Sequence, residues 1–197
     1  HPSSIALYFV AELAAEDVRV VLTGEGSDEL LAGYARYWKT LFNLKAGGFY
    51  HRATPGFLRD LVSAGVRGLA PRSTLFRKLA RTPMVLPPDM RNLYFDNFAV
   101  FSSARQEELL SNDALVRGAG ADPHAVLEGL FRGSDAPELL DRLLDVDIQV
   151  YLRELLMKQD QMSMAASIES RVPFLDHELV EFAAGLTVQM KLRGRKT

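Results

Sequence analysis

The chain has 197 residues, 48% of them hydrophobic, and its 23 basic and 25 acidic side chains leave a formal charge of -2. This length and composition suit one globular domain, or most of one, and the charge balance excludes the basic excess typical of nucleic-acid-binding proteins. The lack of cysteine excludes disulfides, zinc–thiolate sites and a cysteine nucleophile within these residues. The sequence has no apolar run of about 18 residues, the length that a membrane span needs. A cytoplasmic protein is therefore expected.

The first predicted elements are a helix, a strand, a glycine loop and a second helix. Residues 4–16 are apolar almost all round, which indicates a buried helix. Residues 18–23 are short and β-branched with little alternation, which predicts a central strand of a parallel sheet. After the loop at 24–27, a helix is expected from about Asp28 to Trp38, with Ser27 as its N-cap.

The rest of the chain is predicted to be mostly helical. Short helices and loops are expected over residues 46–90, and a capping pattern at 103–106 predicts a helix that runs to about residue 110. Apolar residues at helical spacing give residues 137–165 the longest helical signal. A last helix should be capped by Asp176, end at Gly185, and bury four apolar side chains, namely Leu179, Val180, Phe182 and Ala183.

The fold class expected from these elements is α/β, mostly α-helical with one or few strands. One strand cannot form a sheet alone, so its partner strands are expected outside these residues, upstream of His1. The chain begins with His-Pro and ends in a basic stretch (Lys191, Arg193, Arg195, Lys196), and both ends are interpreted as cuts through a longer chain. Such a piece should expose a large apolar surface and dissolve poorly on its own.

The most informative stretch is VVLTGEGSDELLAGY, residues 20–34. A strand that enters a glycine-rich loop and then a helix brings backbone N–H groups to phosphate oxygens. Three acids in the loop, Glu25, Asp28 and Glu29, would repel a polyphosphate unless Mg²⁺ lay between them. The spacing therefore suggests a magnesium–nucleotide site, although neither the GxxxxGK[ST] nor the GxGxxG pattern is present.

A purely structural explanation exists for two of the three acids. Asp28 and Glu29 would lie in the first turn of a helix, where carboxylates favour the helix dipole without any ligand. Glu25 precedes the cap and lies between two glycines, so the dipole explains it less well.

Two segments resemble the signatures of one enzyme family. TGEGSDELLAGY, residues 23–34, is similar to the SGEGxDExFxGY signature of asparagine synthetases. Residues 155–186 are similar to the later signature of that family, LLxKxDRMSMAxSxExRVPFLD, and residues 94–111 match its helical middle weakly. The chain thus resembles the C-terminal ATP-dependent synthetase domain of glutamine-hydrolysing asparagine synthetases, seen as an internal fragment.

The resemblance implies a fold and a two-step reaction. The fold is an α/β domain of the ATP-pyrophosphatase type, similar to adenine nucleotide alpha hydrolases. ATP with Mg²⁺ adenylates the side-chain carboxylate of aspartate and releases pyrophosphate, and ammonia then displaces AMP to give asparagine. The ammonia comes from glutamine through a separate N-terminal glutaminase domain that these residues lack. Nucleic acid and membrane are not expected partners, and a homodimer stays open.

The resemblance also assigns roles in the glycine loop. Glu25 matches the catalytic glutamate that removes a proton during ammonia attack, and Asp28 matches the magnesium ligand. Thr23 replaces the usual serine, and its hydroxyl is expected to face the substrate and phosphates together with the backbone of Gly24 and Gly26. Ser27 is counted with this binding set.

The later signature contributes two further candidates. Lys158 lies where the family carries Lys or Arg near the active site and could pair with pyrophosphate or a substrate carboxylate. Asp160 matches an Asp or Asn of the family. The methionines of this segment, Met157, Met162 and Met164, are interpreted as core residues. Glu169 with Arg171 is interpreted as an internal ion pair.

The chain also departs from the family pattern. Gln161 stands where Arg or Lys is usual, and Leu31-Ala32 replace a common Phe-Gly. The phosphate loop SGGxDSS would precede His1 and a late lysine would follow Thr197, so these residues alone should not turn over ATP. Three alternatives stay open: a relative that adenylates another carboxylate (polysaccharide, peptide or β-lactam type), a non-catalytic scaffold, and an unrelated helical domain.

Overall fold

The computed structural model describes residues 2–95 and 124–193, which are mostly helical with two short strands. Numbered in chain order, the strands are β1 (Val20–Leu22) and β2 (Glu169–Arg171). The helices are α1 (Pro2–Ala15), α2 (Ser27–Leu31), α3 (Ala35–Ala53), α4 (Gly56–Leu69), α5 (Thr74–Leu79), α6 (Met90–Leu93), α7 (Ala125–Gly133), α8 (Leu139–Gln149), α9 (Tyr151–Ala165), α10 (His177–Ala184) and α11 (Val188–Lys191). Two 3-10 turns cover Ala70–Arg72 and Pro173–Leu175.

The chain divides into two compact units. One comprises His1–Ala35 and Leu130–Thr197, and the other comprises Arg36–Gly129. Within the described residues, none of the helices is both long and apolar enough to cross a membrane.

In the first unit, β1 and β2 form a parallel pair with Val20 opposite Glu169 and Leu22 opposite Arg171. The expected strand at 18–23 is thus confirmed in a shorter form. The expectation that all its partners lie outside the chain is wrong, because β2 is one of them. Strand β2 was not predicted from the sequence because its three residues, Glu-Ser-Arg, are polar and too few to show a strand pattern.

The N-terminal helix is confirmed, but its burial is not. Ile5, Phe9, Val10 and Leu13 are each 60–65% exposed, and Ala11 is the one fully buried side chain among the described residues of α1. A helix that is apolar all round needs partners on several sides. Helix α9 covers part of α1, and no described element covers the rest.

The helix expected from Asp28 to Trp38 is wrong in its length and its cap. Helix α2 ends at Leu31, Ala32 takes a left-handed conformation with φ 60°, and α3 starts afresh at Ala35. The N-cap is Gly26, with φ 92°, and not Ser27. The Ser27 hydroxyl instead donates to the carbonyl of Gly24 at 2.8 Å. Leu-Leu-Ala favours helix, so the break could not be read from propensity.

The long helical signal at 137–165 corresponds to two helices that break at Val150. They supply most of the core of the first unit, which includes Leu140, Leu143, Leu144, Val146, Leu152, Leu155 and Ile168. Helix α10 begins as expected, because the Asp176 side chain accepts from the Glu178 N–H, and Gly185 follows its last residue. Its predicted burial is wrong for Leu179 and Phe182, which are exposed.

The second unit contains the helices from α3 to α6. Its core includes Tyr37 and Tyr94, whose rings stack with centroids 6.4 Å apart, and the buried Thr40 hydroxyl donates to the carbonyl of Leu93. The helices and loops expected over 46–90 are confirmed, with α4 longer than predicted. The helix expected at 103–110 lies outside the described residues.

Candidate functional site

The two signature segments meet in space at the carboxyl ends of the strands. The Thr23 N–H donates to the carbonyl of Arg171 at 2.9 Å, which extends the ladder into the glycine loop. Beyond it, Gly26 packs against Leu175, whose Cγ would lie 2.9 Å from any Cβ added to the glycine. Segments separated by more than 100 residues therefore form one structural feature.

A cleft of about 480 Å³ opens beside this junction. Its polar side includes Thr23 and Glu25, and Gly24 lies between them with open space where a side chain would project. Its apolar side comes from α1, through Leu7, Val10, Ala11 and Ala14. In α/β proteins the carboxyl ends of parallel strands are where ligands bind, so the cleft is the candidate site.

Helix α9 adds two residues to the cleft that the sequence analysis missed. Gln159 is buried, and its Nε2 donates to Ser170 Oγ at 2.7 Å, which ties α9 to β2. Ser163, one turn later, is also buried, and its hydroxyl donates to the carbonyl of Asp160. The signal was present in the sequence, because both polar residues continue the buried stripe of Leu152 and Leu155 at helical spacing.

Asp28 and Glu29 on α2 lie in different surroundings. Asp28 is half-buried, and its carboxylate lies against the Cα of Gly33. Glu29 is 1% exposed, and its Oε1 accepts from the Tyr34 hydroxyl at 2.7 Å. Burial raises the pKa of Glu29, and the hydrogen bond from Tyr34 offsets part of that rise. The pKa of Tyr34 is also raised, by burial first and then by this bond.

The structure does not bring every predicted site residue to the cleft. Lys158 is half-buried on α9, with Nζ 3.5 Å from Ser3 Oγ on α1, and Asp160 is exposed. Gly26, Ser27 and Asp28 lie beyond the cleft lining, at the start of α2. The roles assigned to all the site residues stay predictions.

The residues predicted to be structural are three methionines on α9 and one ion pair on β2. Met157 and Met164 are exposed, so their assignment to the core is wrong, while Met162 is half-buried. Met157 and Met164 lie on the side of α9 away from its buried stripe. The ion pair of Glu169 and Arg171 is confirmed at 2.8 Å, although both side chains are exposed on β2.

The glycine loop suits the approach of a phosphate or an adenylate, because the open space over Gly24 gives a ligand access to the backbone. For a divalent cation the fit is partial. Among the described residues no three His, Asp or Glu side chains cluster as a metal site. Asp28 could supply one carboxylate, which is sufficient for a Mg²⁺ ion that is held mainly by phosphate oxygens.

Comparisons with known proteins agree with these observations. The family model described as asparagine synthase matches residues 1–197. The chain is 30% identical to asparagine synthetase [glutamine-hydrolyzing] 1 of Bacillus subtilis across 200 aligned residues. The alignment covers 100% of this chain and 29% of that protein. Asparagine synthetase [glutamine-hydrolyzing] 3 of the same organism is 25% identical, with 98% of this chain and 24% of that protein covered.

A fungal relative carries a different name. Amidase chry2 of Gibberella zeae is 24% identical, with 91% of this chain and 27% of that protein covered. The chain thus spans less than a third of the length of these curated relatives. No solved structure matches it.

Proposed function

Because the chain belongs to the asparagine synthase family, we propose that it is part of an ATP-dependent synthetase that converts aspartate to asparagine. The observation that carries the proposal is the position of Glu25. It lines the cleft at the carboxyl end of β1, beside the open Gly24 backbone and at the junction of the two signature segments. A carboxylate there can act on a substrate that is held over the glycine loop.

The proposed chemistry has two balanced steps. An oxygen of the aspartate side chain attacks the α-phosphorus of ATP, which forms β-aspartyl-AMP and breaks the bond to pyrophosphate. Ammonia then attacks the acyl carbon, Glu25 accepts a proton from the nitrogen, and AMP leaves with its electron pair. The ammonia is proposed to come from glutamine by way of the protein's own N-terminal glutaminase domain.

The residues of this chain would divide the binding. The Thr23 hydroxyl and the backbone at Gly24 and Gly26 would face the adenylate. Asp28 would hold a Mg²⁺ ion, which supplies positive charge to the pyrophosphate leaving group. Lys158 and Asp160 are proposed to act on pyrophosphate or substrate once these are bound, since neither reaches the cleft by its own contacts.

A second candidate keeps the site and changes the acceptor carboxylate. It is favoured by the fungal relatives named amidases, chry2 and chyE, which the chain matches along 91% of its length. The roles proposed above for the cleft residues concern ATP and ammonia, and none of these roles selects aspartate over another acid.

The test uses the intact protein with ATP, Mg²⁺, ammonia and each candidate acid. Pyrophosphate and amide are measured for the wild type, for Glu25→Gln, and for Glu16→Gln as a control at the exposed residue after α1. Glu25→Gln should keep pyrophosphate release but lose at least about 100-fold in amide formation, as expected for loss of a general base. Glu16→Gln should behave as wild type.

Three results would change the proposal. Amide formation by Glu25→Gln at the wild-type rate would remove Glu25 from the chemistry. Pyrophosphate release with another acid alone would select the second candidate. No release with any acid would indicate a non-catalytic scaffold.

A further inference from the structure

The short helix α2 is followed by a tyrosine, Tyr34, whose side chain folds back and hydrogen-bonds to Glu29 within the helix. The backbone reverses at Ala32 and Gly33, and the Gly33 N–H donates to the carbonyl of Asp28 at 3.0 Å. Tyr34 then brings its hydroxyl back to Glu29, 2.7 Å from Oε1. We call this arrangement of Glu29, Gly33 and Tyr34 the α2 clip.

The clip contacts Asp28 through both its backbone and its side chain. Its carbonyl accepts from the Gly33 N–H, its carboxylate lies against the Cα of Gly33, and the neighbouring residue is held by Tyr34. A side chain at position 33 would collide with this carboxylate, so the glycine leaves room for it. The conformation of Asp28 therefore depends on the clip.

The clip is also anchored to the rest of its unit. Glu29 is almost completely buried, and α2 packs against α8. The ring of Tyr34 meets Tyr151, the first residue of α9, edge-on with centroids 5.9 Å apart. A five-residue helix has too few internal hydrogen bonds to hold its own position, so these contacts must hold it.

We propose that Tyr34 and Glu29 are positioning residues that fix α2 so that Asp28 presents its carboxylate to the magnesium of the bound nucleotide. The inference rests on the proposed function, because it takes Asp28 as the metal ligand. Tyr34 acts through Glu29 and the backbone, without touching the metal. A phenylalanine would fill the same volume and keep the contact with Tyr151, so Tyr34→Phe tests the hydroxyl separately from the ring.

The experiment measures Mg²⁺ binding to the intact protein by calorimetry, with an ATP analogue that cannot release pyrophosphate, beside pyrophosphate release against Mg²⁺ concentration at saturating ATP. Tyr34→Phe should raise the Mg²⁺ midpoint about tenfold, the loss expected when a buried hydrogen bond is removed. The rate at saturating Mg²⁺ should stay near that of wild type. Glu29→Gln keeps an acceptor for the Tyr34 hydroxyl and should give a smaller shift.

A matched control is available in α1, where the Tyr8 hydroxyl donates to Glu12 at 3.3 Å on the exposed surface. Tyr8→Phe also deletes a tyrosine–glutamate bond and should leave the Mg²⁺ midpoint unchanged. Asp28→Asn serves as the reference for loss of the metal ligand and should raise the midpoint more than Tyr34→Phe does.

The outcomes separate the two levels of the proposal. A raised midpoint in Asp28→Asn beside wild-type midpoints in Tyr34→Phe and Glu29→Gln would overturn the inference alone, even if Tyr34→Phe lowered the melting temperature. An unchanged midpoint in Asp28→Asn would overturn the metal role of Asp28 and the clip with it. Should Tyr34→Phe fail to fold, the Glu29→Gln midpoint decides by itself.

Discussion

At the residue scale, the left-handed backbone conformation of Ala32 costs folding free energy. The residue is fully buried with φ 60°, a region that costs an L-residue other than glycine about 1–2 kcal/mol. In the family signature that this segment resembles, position 32 is commonly glycine. The structure supplies the reason, since the reversal that lets Tyr34 reach Glu29 needs a left-handed residue there.

Replacing Ala32 with glycine should therefore stabilise the protein by about 1 kcal/mol, despite the larger backbone entropy of glycine in the unfolded chain. Ala6→Gly, within the regular helix α1, is the control and should destabilise by about 1 kcal/mol. Urea unfolding of the intact protein measures both values. Loss of stability in Ala32→Gly would show that the surrounding contacts, and not the backbone, determine the residue at this position.

At the element scale, several features that depend on local chemistry were predicted from the sequence, although the N-cap of α2 was not. The strand before the glycine loop and the Asp176 cap are present, and the 137–165 region is helical, although it forms two helices. Features that depend on distant partners were missed or wrong. The polar strand β2 forms because β1 lies beside it, and the exposure of α1 depends on what covers it. Gln159 enters the cleft because Ser170 binds its amide.

Substitution by alanine should lower stability at Gly26 but not at Gly24, the two glycines of the loop. Gly26→Ala combines a left-handed backbone with a collision against Leu175 and should cost about 3 kcal/mol of stability. Gly24→Ala meets no atom within 4 Å and should change stability by less than about 0.5 kcal/mol. Its methyl group should instead weaken ATP binding, measured by calorimetry. Equal stabilities for the two variants would contradict the packing described here.

At the scale of the whole molecule, exposed apolar surface dominates. Large apolar side chains are open to solvent on α1, on β1 and on the helices of the second unit, with Leu22 at 72% and Phe49 at 76%. Large apolar side chains that are open to solvent in this number are typical of surfaces that other polypeptide covers. The curated relatives are more than three times as long as this chain, so they contain much polypeptide that could cover it.

Residues 1–197 alone should therefore bind a hydrophobic dye such as ANS and associate in light scattering, whereas the intact protein should do neither. The double variant Phe9→Ser with Leu13→Ser should reduce dye binding by the isolated segment, because both side chains are more than half exposed on α1. In the intact protein the same changes should cost about 2–4 kcal/mol of stability if α1 is covered there. A monomeric, dye-free segment would contradict this expectation.

The parallel pairing of β1 with β2 also determines when β1 can pair during synthesis. Val20 can pair only after Glu169 has been made, about 150 residues further along the chain. At roughly 5–20 residues per second, the ribosome needs on the order of ten seconds to supply β2. During that interval the glycine loop has been made but lacks the strand that seats Thr23. The glycine loop of the nascent chain therefore cannot take its final structure until the segment that contains β2 has left the ribosome.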